Sequence, residues 1–323
     1  MNTIDTSLFK AIYDRPSTHF ESKSARKHGV IMLADGIDGI KEIDMKFTNY
    51  VLFSHELEGN GLEYALDHTV KLGFEAVEWL DSALGESSII SDLGAARATK
   101  NELNARNITV SCYSVLVDLL GNNVDKMLDR VYRHIEYAAE FGSPYVHHTV
   151  IPAYKFKPGV PSYEDALFRV ADNAERIAKR CNEYGIVCLY EPQGIYFNGV
   201  PGLKALLSEM KARGCNVGLC GDTGNSILVD TPPIEIFKNF AEDIKHIHVK
   251  DYKYVPKCDG KNYFTTSGKY VADAGLGEGI SEVTKCFDCV KGYSGNISFE
   301  MRCDDAQMLK NIEYVKNILN IAK

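Results

Sequence analysis

An eight-fold alternation of short β-rich runs with helical segments predicts a closed parallel (β/α)8 barrel, the TIM-barrel class. Three observations carry that prediction. The strands read as near-continuous apolar runs, as in a parallel sheet covered on both faces. The intervening segments repeat apolar residues at three and four positions. The polar groups suited to chemistry fall at the carboxyl ends of the later strands, where a barrel builds its site. An open doubly wound sheet is the alternative for such a pattern, and the placement of those polar groups favours closure.

Residues 1–48 read as a polar N-terminal extension with one apolar patch, GVIML, and residues 49–323 as the barrel domain. The predicted strands are NYVLFS (49–54), EAVEW (75–79), ITVSCYSV (108–115), PYVHHTV (144–150), IVCLYE (186–191), NVGLCGD (216–222), IKHIHVK (244–250) and NISFEM (296–301). Helices are expected over 60–72, 92–106, 123–141, 163–184, 201–213, 232–243, 281–292 and 304–322. In 123–141 the apolar stripe is Val124, Met127, Leu128, Val131, Ile135 and Ala138, with Gly142 as the stop signal. In 163–184, Ser162 and Asp165 resemble a capping box, and Gly185 sits where a left-handed residue closes a helix. A long turn-rich loop after strand seven, 252–280, carries Lys253, Tyr254, Tyr263, Phe264 and Tyr270. Its length predicts a cover over the catalytic face or a subunit contact.

Composition narrows the function classes. With 45% hydrophobic and 25% charged residues the chain is ordinary for a globular protein. A formal net charge of −8 argues against a nucleic-acid partner, because phosphate binding rests on clustered Lys and Arg. No window approaches the length of a membrane span. The first residues lack the apolar stretch of a secretory signal, and nine cysteines without one suggest reduced thiols and a cytoplasmic location. Cys286 and Cys289 form a lone C-x-x-C inside a helical pattern, which reads as packing because a zinc site needs further ligands.

Four segments hold the candidate site: LYEPQ, GDTGN, HIHVKD and ISFEMR. Each places one metal-competent group, Glu191, Asp222, His248 or Glu300, at a strand end. The first two intervals each match one strand–helix unit, and the third one unit plus an inserted loop. Three carboxylates and one imidazole form a mostly hard donor set, suited to Mn²⁺ above all, with Mg²⁺ or Co²⁺ as alternatives. Burying such carboxylates costs several kcal/mol unless a cation or donor compensates. Alternation puts His246, His248 and Lys250 on one face of strand seven, with His248 as ligand and His246 packing beneath it. Lys250 and Asp251 are placed to hold substrate or the ligands themselves. One of His147 and His148 should face the mouth, where an imidazole acts as acid or base near neutral pH. Arg302, two residues beyond Glu300, is expected on the same face as a substrate contact.

These motifs, with GLGEG at 275–279, resemble the xylose isomerase-like TIM-barrel superfamily, over roughly residues 49–322. The superfamily includes sugar isomerases, ketose 3-epimerases, inosose dehydratases and endonuclease IV. The resemblance implies a divalent-metal-dependent sugar isomerase or epimerase working through an enediolate. Carried over by motif, Glu191 and Glu300 bind the ion and exchange the substrate proton, while Asp222 and His248 complete the shell. Two departures weaken a free ketohexose as substrate. Asn225 stands where the 3-epimerases have a histidine, making it a substrate-contact candidate, and their proline–glycine–arginine stretch after strand seven is absent. A metal-dependent lyase of the bacterial C-glycoside deglycosidase type is the alternative, acting on 3-oxo-glycosides with a small partner subunit. An endonuclease IV-like repair enzyme and a non-catalytic binding protein rank below it. A sugar or glycoside substrate and a homo-oligomer complete the expectations.

Overall fold

The computed structural model describes residues 45–85, 88–257 and 263–320. Eight strands close in the order β1-β11-β7-β6-β5-β4-β3-β2, and every ladder between them is parallel. The staves are β1 (Phe47–Asn49), β2 (Ala76–Ser82), β3 (Thr109–Leu116), β4 (Tyr145–His148), β5 (Val187–Tyr190), β6 (Val217–Asp222), β7 (Ile244–Val249) and β11 (Ile297–Phe299). The expected closed barrel is therefore what the chain forms. Residues 1–44 of the expected extension lie outside the described residues.

Helices occupy the expected intervals, for example Val124–Phe141 and Tyr163–Glu183. Ser162 caps the latter, its hydroxyl accepting from the Asp165 amide, and Gly142 (φ 77°) and Gly185 (φ 72°) take the left-handed conformation after their helices. Among the described residues no helix is long and apolar enough to cross a membrane.

The first strand departs from expectation. NYVLFS is not a strand: β1 ends at Asn49, and Val51–Asn60 is a helix. The Asn49 side-chain oxygen accepts from the Phe53 amide (3.1 Å), turning the chain at that point. A short apolar run fits a strand or a buried helix turn equally well, and only the packing decides. Here Val51, Leu52 and Phe53 are all buried.

Alternation along the strands separates two interiors. Outward residues pack under the helices in one large apolar layer that includes Phe53, Trp79, Phe141, Ile247 and Phe299. Phe299 meets Phe47 and Phe74 edge-on, at ring distances of 5.6 and 5.4 Å, across the seam where the last strand joins the first. The inward layer is largely polar and fully closed: Thr48, Glu78, Ser298, His246 and His248 each have 0% exposure.

The described residues of the loop after β7 form a small antiparallel sheet, β8 (Asp251–Val255), β9 (Tyr263–Phe264) and β10 (Tyr270–Ala274), in the order β8-β10-β9. Tyr252 and Val271 from this sheet bury themselves against Ile227 and Leu228, in the 3₁₀ turn Asn225–Val229 that follows β6, with Tyr154 alongside. That contact anchors the small sheet beside the barrel mouth.

Candidate metal centre

The ligand candidates come from four neighbouring staves, β5, β6, β7 and β11. Register brings them level: Asp222 is the direct partner of His248, which pairs in turn with Ser298 of β11. As a result one ligand atom from each of Glu191, Asp222, His248 and Glu300 lies within 4.8 Å of the others. His248 Nδ1 is 3.2 Å from Glu191 Oε1 and 2.9 Å from Glu300 Oε2. Tyr50, at the end of β1, packs its ring 5.0 Å from the His248 ring.

Electrostatics at this cluster call for a cation. Glu191, Asp222 and Glu300 bring three carboxylates into a site where Asp222 has 0% and Glu191 only 6% exposure. Burial pushes the Asp222 carboxyl up to about 7, with Lys250 as the main opposing charge. Asp222 Oδ2 and Glu300 Oε2 are fully buried without a well-directed hydrogen bond, although Lys250 Nζ and His248 Nδ1 lie 3.2 and 2.9 Å away. A divalent ion would take up both oxygens, so the donor set fits one.

Lys250 sits on the ligands themselves. Its ammonium is 2.6 Å from Glu300 Oε1 and donates to Asn225 Oδ1 (2.9 Å) as well as facing Asp222. Gly224 makes room for its stem: a Cβ there would lie 2.5 Å from Lys250 Cγ and 2.9 Å from Cδ. Asn225 ties the cluster together, donating from Nδ2 to Glu191 Oε1 (2.8 Å) and from its amide to Asp222 Oδ1 (2.5 Å). Burial raises the Glu191 carboxyl, but His147 and His248 together outweigh it and hold the group well below the usual range.

The structure separates the two adjacent histidines. His147 turns inward, its Nε2 3.0 Å from Glu191 Oε2. His148 turns outward, its ring 5.2 Å from Tyr190 and its Nδ1 2.7 Å from the Thr149 carbonyl. His148 is thus not brought to the cluster, because successive side chains on a strand point to opposite faces. For Arg302 the alternation argument lapses, since β11 ends at Phe299 and this half-buried residue lies in irregular backbone. His246 packs beneath His248, at a ring distance of 5.4 Å.

Glu78 has no counterpart among the sequence candidates. It lies on β2, fully buried, and accepts from Ser114, Ser298, His246 and His248. A carboxylate inside the apolar run EAVEW was the available signal, the same signal that singles out Glu191 and Glu300. At the other end of the site, the Asp251 carboxylate accepts the amides of Gly277, Gly279 and Ser281, each at 3.0 Å. Gly279 is needed there, as a Cβ would fall 2.1 Å from Asp251 Oδ1.

Comparison with known proteins follows the same lines. Residues 66–318 match the family described as xylose isomerase-like TIM barrel. The chain belongs to that family. An inosose dehydratase from Bacillus cereus (strain AH820) is 21% identical over 220 residues, 58% of this chain and 72% of the relative. By structure, a D-allulose 3-epimerase from a Methylomonas species superposes with a TM-score of 0.65 at 16% identity, covering 86% of this chain and 99% of that one. A family member from Mycobacterium smegmatis, solved in complex with magnesium, gives a TM-score of 0.63 at 17% identity, over 85% and 97% of the two chains. The chain thus shares its fold with the epimerase and with the magnesium-bound barrel.

Proposed function

We propose that this protein is a divalent-metal-dependent enzyme that removes a proton beside a carbonyl of a polyhydroxylated substrate, acting as a sugar isomerase or epimerase. The observation that carries the reading is the convergence of Glu191, Asp222, His248 and Glu300 within 4.8 Å in a buried, carboxylate-rich cluster. These four side chains would hold the ion, Mn²⁺ being the first choice, which when bound supplies Lewis-acid charge near the substrate carbonyl. Glu191 and Glu300 are the acid and base: one takes the proton from carbon and the other returns it. Each has a companion that tunes it. His147 and Asn225 face Glu191, while Lys250 faces Glu300.

Elimination of water is the second reading. It is favoured by the inosose dehydratase likeness and by Asn225, which replaces the histidine of the ketose 3-epimerases. The two readings share the first proton abstraction and differ in what leaves.

Incubation with Mn²⁺ in D₂O separates them, using free ketoses, inososes and 3-oxo-glycosides as substrates. Epimerisation gives a deuterated product of unchanged composition; dehydration gives loss of one water by mass spectrometry. Glu191→Gln and Glu300→Gln should each abolish solvent deuterium uptake, because an amide cannot cycle a proton. Retained uptake in both variants moves the acid/base role off these glutamates, with His147 next in line.

A further inference from the structure

His248 has two ring nitrogens, and we propose that Glu78 decides which of them serves the metal centre. Glu78 is the positioning residue that keeps the proton on Nε2 and so presents Nδ1 to the carboxylates. This rests on the metal-dependent reading above and deepens it.

The geometry is direct. Both Glu78 oxygens lie 3.0 Å from His248 Nε2, on the side of the ring away from the cluster. A carboxylate only accepts, so Nε2 must be the protonated nitrogen. Nδ1, on the opposite edge, lies among the ligand atoms of Glu191 and Glu300. A carboxylate behind a ligating histidine fixes the tautomer and ring orientation and makes the free nitrogen more basic. Glu78 is itself held from several sides: Ser298 Oγ and Ser114 Oγ each donate at 2.5 Å, and His246 Nε2 lies at 3.0 Å.

The same carboxylate reaches the acid/base side of the site. The Ser114 hydroxyl spends its only proton on Glu78, so toward His147 it can only accept, and His147 Nδ1, 2.9 Å away, must donate. That bond aims His147 Nε2 at Glu191 Oε2. One buried anion thereby orients a metal ligand on β7 and the partner of Glu191 on β4. Neither link is local in the chain: Glu78 and His248 are 170 residues apart, Glu78 and Ser114 are 36 apart.

The test reads metal binding without substrate. Purified wild type, Glu78→Gln and Glu78→Ala are titrated with Mn²⁺ and the free ion is followed by electron paramagnetic resonance. Loss of the buried anion should weaken Mn²⁺ binding about 10–100-fold in Glu78→Ala. Glu78→Gln keeps the volume and one acceptor, so it should fold even where the alanine variant does not, and should lose about tenfold. A second readout uses ¹⁵N NMR of the Zn²⁺-loaded wild type, where His248 should show a metal-bound Nδ1 and a protonated Nε2. A purely structural role for Glu78 would not set that pattern. Wild-type binding with both variants within about twofold, or a protonated Nδ1 with a metal-bound Nε2, overturns the role of Glu78 while leaving the metal reading intact. Wild type that takes up neither ion overturns both.

Discussion

Replacing Lys250 with Met asks how much of the fold depends on the ammonium buried among the clustered carboxylates. Methionine keeps the stem that lies over Gly224 and removes the charge that faces Asp222 and Glu300. Asp222 then stays fully buried, at 0% exposure, and Glu300 partly so, and both lose their nearest cation. Removing one partner of a buried ion pair costs about 3–5 kcal/mol. For a domain of this size that corresponds to a fall in Tm of roughly 6–15 °C. On the proposed metal-dependent reading the deficit belongs to the metal-free protein, because a divalent ion held by the same carboxylates would offset the missing charge. Thermal unfolding in EDTA should therefore show the full gap between wild type and variant, and saturating Mn²⁺ should close most of it. A gap in EDTA below about 2 °C, or one that Mn²⁺ leaves unchanged, refutes the reasoning.

Three further outcomes are expected. Gly224→Ala places a methyl against the Lys250 stem and should lower turnover severely while the far-ultraviolet circular dichroism stays native; unchanged turnover would mean the stem relocates without consequence. His68 contacts Glu56 and Asp305, joining the helices around it to the last one, and its pKa is raised chiefly by the Glu56 hydrogen bond. A raised histidine stabilises fully below its unfolded value of about 6.5, and the contribution fades as pH rises through the folded value. The Tm difference between wild type and His68→Gln should therefore be greatest near about pH 6 and shrink toward about pH 9; a difference that grows with pH contradicts it. Val255 and Tyr270 are paired across β8 and β10, so residues 256–269 can be replaced by a two-residue Asn-Gly turn. That variant should keep Mn²⁺ binding and lose most turnover, as a cover should, whereas full activity would make the excised segment dispensable.

Much of this architecture was legible because barrel chemistry is tied to strand ends. Glu191, Asp222, His248 and Glu300 each terminate an apolar run, and closure brings those ends together. Elsewhere the signal was ambiguous for identifiable reasons. NYVLFS is too short for periodicity to tell strand from helix, and the Asn49–Phe53 bond that settles it is a side-chain contact. His147 and His148 are adjacent, so alternation shows that only one enters the barrel but not which one. Glu78 was hidden more deeply. Its partners Ser298 and His246 are 220 and 168 residues distant, and only the rolled sheet brings β2 within reach of β7.

The Asp251 carboxylate, gripping the amides of Gly277, Gly279 and Ser281, works as a clasp. It fastens the return of the segment to its departure, directly beyond Lys250, while Tyr252 and Val271 packed on Ile227 and Leu228, and Thr266 and Ser267 bonded to Asp230, hold the described part of the sheet against the barrel. Chain length within a fastened loop is thermodynamically inexpensive, each doubling adding only about 0.6 kcal/mol. Away from Tyr252 and Val271, which pack on the turn carrying Asn225, the segment can therefore change in length at little closure cost. On the proposed reading, substrate range and metal chemistry would in this way be separable traits, free to change at different rates.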